Sequence, residues 1–292
     1  MSLAAPVPTP ADALGGRSAA PPRTRPFGGA GGMAAGLALA TREWVRFFRQ
    51  RHRVVAAVAT PLLLWLLLGL GLRDAFVPGA AAVEGGGAAG SLAFYYPGAV
   101  VLTVLFTSIF TCISVIEDRQ EGFLQGVLAS RAPRWSVAAG KVLGGAAIAV
   151  AQGLALIGLG LLVFPAPSPA GLAAAVAALV VLSVMLTALG LCFAWPMRST
   201  SGYHGVMNLV LMPMWLLSGG LFPASTAAPP LQWAMRLNPL AHGHELFAAG
   251  FAGVRPALAS PATSWAVVLA TTAGLLVIAT ARVTRPVRED AT

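Results

Sequence analysis

Apolar runs without charge alternate along this chain with short charged or Gly- and Pro-rich connections. Six such runs stand out, over 54–72, 92–116, 142–164, 171–195, 205–222 and 262–281, and none contains Asp, Glu, Lys or Arg. Each is close to the roughly 20 residues that an apolar helix needs to cross a bilayer. Pro61 and Pro213 fall inside two of the runs, where a spanning helix accommodates them as kinks. Tyr95 and Tyr96 open the second run, at the depth of an aromatic belt. The pattern predicts an all-α membrane protein with six transmembrane helices.

The connections carry a different pattern. Residues 1–32 are rich in Pro, Gly and Ala without periodicity and read as a disordered extension. Their mildly apolar stretch is too poor in large side chains to predict a cleaved signal peptide. Within 33–53, the segment 37–53 reads as an amphipathic interfacial helix. Arg42, Arg46, Arg49 and Arg53 fall on one stripe, and Leu37, Trp44, Phe47 and Phe48 project from the other side, with Arg51 as the exception. The stretch 223–261 holds two short helical segments on either side of Asn238-Pro239, too short to cross and read as re-entrant or interfacial. Residues 54–283 form the six-span body and 284–292 a charged tail.

The connection between runs two and three is the most charged in the body. It reads IEDRQEGFLQGVLASRAPRWSVAAGK and holds Glu117, Asp118, Glu121 and the only lysine, Lys141. Drawn as one helix from Glu117, it gathers Phe123, Leu124, Val127 and Leu128 into an apolar arc bordered by Glu117 and Glu121, with Arg119 outside it. An exposed apolar arc with charged borders suits a groove on a partner. Packing against its own spans is the alternative for the same helix.

Composition sharpens this picture. Apolar residues make up 57% of the chain and charged residues 10%, against roughly 25% charged in a typical soluble domain. The bilayer is the solvent that such a chain requires. Of the 19 basic residues, 16 fall before run one, between runs two and three, between four and five, or after six. The positive-inside rule therefore predicts that both termini and the 116–141 connection are cytoplasmic. Membrane anchoring accounts for the basic charge, so no nucleic-acid partner is predicted.

Chemistry of its own is not visible. No phosphate-binding G-x-x-x-x-G-K-[ST] is present, because Gly140-Lys141 is followed by Val142. His242 and His244 are two apart and share no helical face, so they predict no metal site. Cys112 and Cys192 sit in apolar runs as small core side chains. Uncharged runs argue against an ion-coupled carrier, and no Ser, His and carboxylate gather to suggest a stand-alone intramembrane enzyme or assembly factor. Gln152 and Asn208 are the notable polar residues within the runs, read as interhelical hydrogen bonders or as lining a substrate path.

The run Glu117-Asp118-Arg119-Gln120-Glu121-Gly122-Phe123-Leu124, followed by Arg134-Trp135 and Gly140-Lys141-Val142-Leu143-Gly144, resembles the signature of ABC type-2 exporter permeases. Leu237-Asn238-Pro239-Leu240 with Glu245, and Ser218-Gly219-Gly220-Leu221-Phe222-Pro223, resemble two further elements of that family. The resemblance covers about 37–283. Gln120 and Phe123 replace the commoner Glu and Thr, and Ala241-His242 replace a usual Thr-Tyr. The resemblance implies a permease subunit, not an enzyme, that exports a lipophilic or amphipathic compound across the bacterial cytoplasmic (inner) membrane. It implies two copies of a separate ABC ATPase and a second permease copy, identical or different. ATP and Mg would be bound by that ATPase, with no cofactor on this chain. It further implies that the helix over Glu117–Leu128, Gly122 included, is the cytoplasmic coupling helix. The 37–53 helix would join the same interface, and Asn238, Pro239 and Glu245 would belong to an outer gate.

Overall fold

The computed structural model describes residues 29–71, 88–130 and 132–285. The expected disorder of the first 28 residues, the polar loop over 72–87 and the end of the tail, 286–292, lie outside them. Every long element among the described residues is a helix: α1 (Gly29–Arg49), α2 (Arg51–Gly71), α3 (Ala88–Gln120), α4 (Phe123–Ala129), α5 (Arg134–Val163), α6 (Pro169–Ala194), α7 (Thr200–Leu216), α8 (Pro229–Leu237), α9 (Pro239–Ala252) and α10 (Pro261–Thr284).

Four of these, α3, α5, α6 and α10, are long and apolar enough to cross a membrane, and Ala57–Gly71 of α2 is a shorter apolar helix. α3 is the central post and packs against α1, α2, α5, α6, α7 and α9. Its apolar positions are almost all buried, from Tyr95 and Tyr96 down to Val115 and Ile116. Helix starts are set by local chemistry. Ser168 and Ser260 cap α6 and α10 with side-chain oxygens, and in each a proline follows at the first helical position, where its missing N–H costs nothing.

Three sequence expectations are corrected. The amphipathic helix spans Gly29–Arg49, not 37–53, and Gln50 separates it from α2. Its start reaches back because Gly32, Gly36 and Ala40 let it lie directly on α5. A Cβ on Gly140 would sit 2.6 Å from the Gly36 carbonyl oxygen, and one on Gly144 would sit 3.1 Å from Ala40 Cα. Small residues allow this close helix contact. The fifth run is helical only over Thr200–Leu216, because Gly219 takes φ +91 and turns the chain. The third run begins eight residues earlier, at Arg134, which brings Lys141 inside α5.

The two short segments of 223–261 form helices with opposite surroundings. α8 lies at the surface with Trp233 and Leu237 exposed. α9 is embedded in the bundle against α6, α10 and α3. Its glycines make this fit possible. A Cβ on Gly250 would lie 2.6 Å from the Gly171 oxygen, and one on Gly243 would meet the Leu182 side chain.

Candidate functional site

The charges of the central connection close on one another at the end of the bundle where α1, α3 and α5 meet. Arg42 grips Asp118 with both guanidinium nitrogens, 2.8 Å to Oδ1 and 3.0 Å to Oδ2. Arg46 donates to Asp118 Oδ1 at 2.6 Å and to Glu117 Oε2 at 2.7 Å. Lys141 Nζ reaches Glu43 at 2.7 Å, Asp118 Oδ2 at 2.5 Å and Ser114 Oγ at 3.2 Å. Asp118 is fully buried, and Glu43 and Lys141 nearly so. Each buried carboxylate thus meets cations, which is the condition under which buried charge is tolerated. The Asp118 hydrogen bond holds the Arg42 guanidinium above its already high range, against the opposing effect of burial.

Helix periodicity explains the arrangement. Arg42 and Arg46 are four apart and present one guanidinium above the other, while Glu43 turns toward α5. On α3, Ser114 and Asp118 are likewise four apart and face Lys141. The basic stripe of α1 is therefore an internal clamp as well as a surface feature. Arg49 instead lines an open groove of about 600 Å3 with Thr41, Arg42, Val45, Arg46 and Gln50. The aromatic side of α1 also divides: Phe47 is buried, while Trp44 and Phe48 meet with tilted rings, centroids 4.9 Å apart, on the exposed side.

The expected single helix from Glu117 is broken in two, which corrects that expectation. Glu117, Asp118 and Arg119 belong to the last turn of α3, and Gly122 at φ +76 starts a new helix, α4. A left-handed residue ends an α-helix, and glycine is the residue that takes it without strain. The expected apolar arc turns partly inward: Leu124 is buried, and Val127 and Leu128 pack against the core. Phe123 remains on the exposed rim, under the Arg42 guanidinium at 3.8 Å. Glu121 is exposed and 3.7 Å from Arg46. Arg119 donates to the Met197 carbonyl at 3.0 Å and Gln120 to that of Arg198 at 2.8 Å, joining this end to the α6–α7 connection.

At the opposite end, Asn238 and Glu245 are structural pins. Asn238 donates to the Met214 and Leu217 carbonyls, 2.7 and 3.1 Å, and accepts from Leu240 N–H, so it ties the end of α7 to the start of α9, with Pro239 as the first helical residue. Glu245 accepts from the N–H groups of Ala257 and Leu258 at 2.9 and 3.0 Å. The two intramembrane amides do not come together. Gln152 is buried inside the bundle against Thr107, whereas Asn208 lies on the exposed side of α7 with Leu209, Met212 and Leu216.

Sequence reasoning missed Glu43 and the inward role of Lys141. The available signals were one acid within a basic stripe and a single lysine in an arginine-rich chain. Cys112 and Cys192 are free and buried, and among the described residues no three metal-binding side chains gather.

Comparison with known proteins agrees with this architecture. The profile of the ABC-2 type transporter family matches residues 35–252. The chain is 27% identical over 144 residues to a probable multidrug ABC transporter permease, YbhR, of Escherichia coli K12, and equally to its counterpart in Escherichia coli O157:H7. That match covers 49% of this chain and 39% of each relative, so the chain spans well under half the length of the curated relatives it matches. With the family profile spanning the helices from the charged clamp to the embedded α9, and with four helices of the bundle long and apolar enough to cross a membrane, the chain belongs to the ABC-2 type transporter family.

Proposed function

We propose that the chain is the membrane half of an ATP-driven exporter, with six crossings, both termini in the cytoplasm of a bacterial inner membrane, and α4 as the piece on which the ATPase pushes. The carrying observation is the ion clamp beside α4. A short helix with an exposed phenylalanine, preceded in its link to α3 by the exposed Glu121, sits against a base cross-linked by Arg42, Arg46, Asp118, Glu43 and Lys141. A push on α4 therefore moves α1, α3 and α5 together, because separating any of them uncovers buried charge. Nucleotide and Mg would be held by the ATPase, and its binding energy would bias a two-state bundle. The groove at Arg49 extends the docking surface along α1.

α2 and α7 supply the two further crossings. The outward face of α7 carries Asn208 beside the exposed Leu209 and Met212, and a polar amide facing lipid is costly. A second copy of the permease laid against α7 would cover it, leaving a path between the copies for a lipophilic or amphipathic cargo. The multidrug description of the relatives supports an apolar cargo. Gln152 is a bundle hydrogen bonder in this reading, and Asn208 is the pathway or interface residue.

Co-purification tests the docking surface. The tagged chain should retain an ATPase subunit, and Glu121→Arg with Phe123→Asp should release it while the chain stays folded, since both side chains are exposed. Leu124 is unsuitable for this test because it is buried. Capture of no ATPase by the wild type, or equal capture by the double variant, would overturn the reading.

A further inference from the structure

Unpaired polar atoms are concentrated in this fold. Among the described residues, the buried side-chain atoms without a hydrogen-bond partner are Tyr95 Oη, Gln152 Nε2 and both ring nitrogens of His244. Tyr95 and His244 border a single turn, 217–220, where α7 ends. Tyr95 lines one small space with Gly98, Trp215 and Gly220. The His244 imidazole lies on the other side, where a Cβ on Gly219 would come within 3.4 Å of Nδ1.

Shape holds this turn in place. Gly219 has φ +91, and a Cβ on Gly98 would lie 2.9 Å from Gly220 Cα, so the turn rests backbone to backbone on α3. Asn238 ties its α7 side. His244 fills the space behind it, facing the Ser218 backbone without hydrogen-bond geometry at either nitrogen. Next to the imidazole is a cavity of about 130 Å3, whose lining includes Gly219, Ala224, His244, Glu245, Ala248 and Arg255.

A neutral imidazole survives in such a dry place, but an imidazolium there would be a buried charge without a partner. The surrounding charges do not supply one directly. Glu245 is engaged with the Ala257 and Leu258 N–H groups, and Arg255 shares the cavity wall. His242 faces away, bonded to Ser264 and the Arg236 carbonyl, and Arg236 stacks on Trp233. α3 presents Tyr95, and α6 has no charged residue. On α7, Tyr203 and His204 sit near its far start, and on α10 Arg282 is bonded to the Cys192 carbonyl.

We propose that His244 is a proton-operated latch: neutral, it holds the 217–220 turn closed on α3; protonated by water entering the adjoining cavity, it releases the turn and opens the outer face. This rests on the exporter reading above, with Asn238, Pro239 and Glu245 belonging to its outer gate.

The test uses the full chain with its ATPase in lipid nanodiscs, with Cys112→Ala and Cys192→Ala as background. Ala248→Cys reports the cavity, and Ala262→Cys, exposed and outside the cavity lining, reports reagent chemistry. The ratio of their labelling rates with a water-soluble thiol reagent should rise several-fold between about pH 8 and about pH 5.5, across the imidazole range. The rise should vanish in His244→Gln and persist in Glu245→Gln. A flat ratio in the parent protein overturns the latch, so the result does not depend on His244→Gln folding. A rise that survives His244→Gln, or that disappears in Glu245→Gln, also overturns it. Loss of ATPase co-purification would instead count against the exporter reading, which this ratio does not measure.

Discussion

Lys141 joins three helices through one ammonium group. It touches carboxylates from two different helices, Glu43 on α1 and Asp118 on α3, in a site nearly closed to solvent. Lys141→Met should therefore cost about 3–5 kcal/mol, the range for removing one partner of a buried pair, read as a large drop in the thermal midpoint of the purified chain. Adding Glu43→Gln to that variant should recover part of the loss, because the stranded carboxylate is gone. A drop no larger in Lys141→Met than in a surface variant such as Gln125→Ala would count against the clamp. The sequence displayed every member of this cluster and hid the cluster itself. Glu43 and Lys141 are 98 positions apart, and helical periodicity assigns faces within a segment without saying what those faces meet. The arginine stripe of α1 reads as solvated on that evidence, and only the packing of Gly36 on Gly140 turns its neighbour Glu43 inward. His244 shows the same limit: a histidine in a short apolar helix gives no sign of lacking partners.

Helices were more legible than their ends. Uncharged runs located α2, α3, α5, α6, α7 and α10, because the apolar length needed to cross a bilayer is a strong and local signal. Their boundaries depended on residues outside the runs. α3 continues through its charged last turn because α1 satisfies Glu117 and Asp118 and the Met197 carbonyl satisfies Arg119, and it stops where Gly122 takes a left-handed conformation. Glycines make distinct predictions here. Gly140→Ala places a Cβ 2.6 Å from the Gly36 oxygen, and should destabilise the chain by about 1–3 kcal/mol as α1 is pushed off α5. Gly126→Ala, on α4 with open space around it, should be neutral or stabilising by up to about 1 kcal/mol through helix propensity. Thermal unfolding of the two variants side by side checks the pair, and equal effects would contradict the packing described for α1.

At the scale of the whole molecule, the bundle has a charged, cross-linked end and an opposite end closed by packing and backbone pins. The exposed face of α7 runs between them. If a second copy covers it, Asn208→Cys in a background without native cysteines should cross-link into a dimer on mild oxidation or with a short bifunctional reagent, while Gln125→Cys on α4 should not. Monomer under both conditions would place the second copy elsewhere. Charge bias and resemblance carry the sequence only to proposals of six crossings, a dimer and an orientation, whereas the direction that α7 faces required the neighbouring helices.

α7 leans on the rest of the chain along one narrow edge, formed by Tyr203, Met207, Leu211 and Trp215 at intervals of four. Most of its circumference owes nothing to the folding of its own protomer. In the exporter proposed above, substitutions at Gly205, Leu209, Met212 and Leu216, all exposed, would change the face that meets cargo or a second copy while leaving the ion clamp and the core undisturbed.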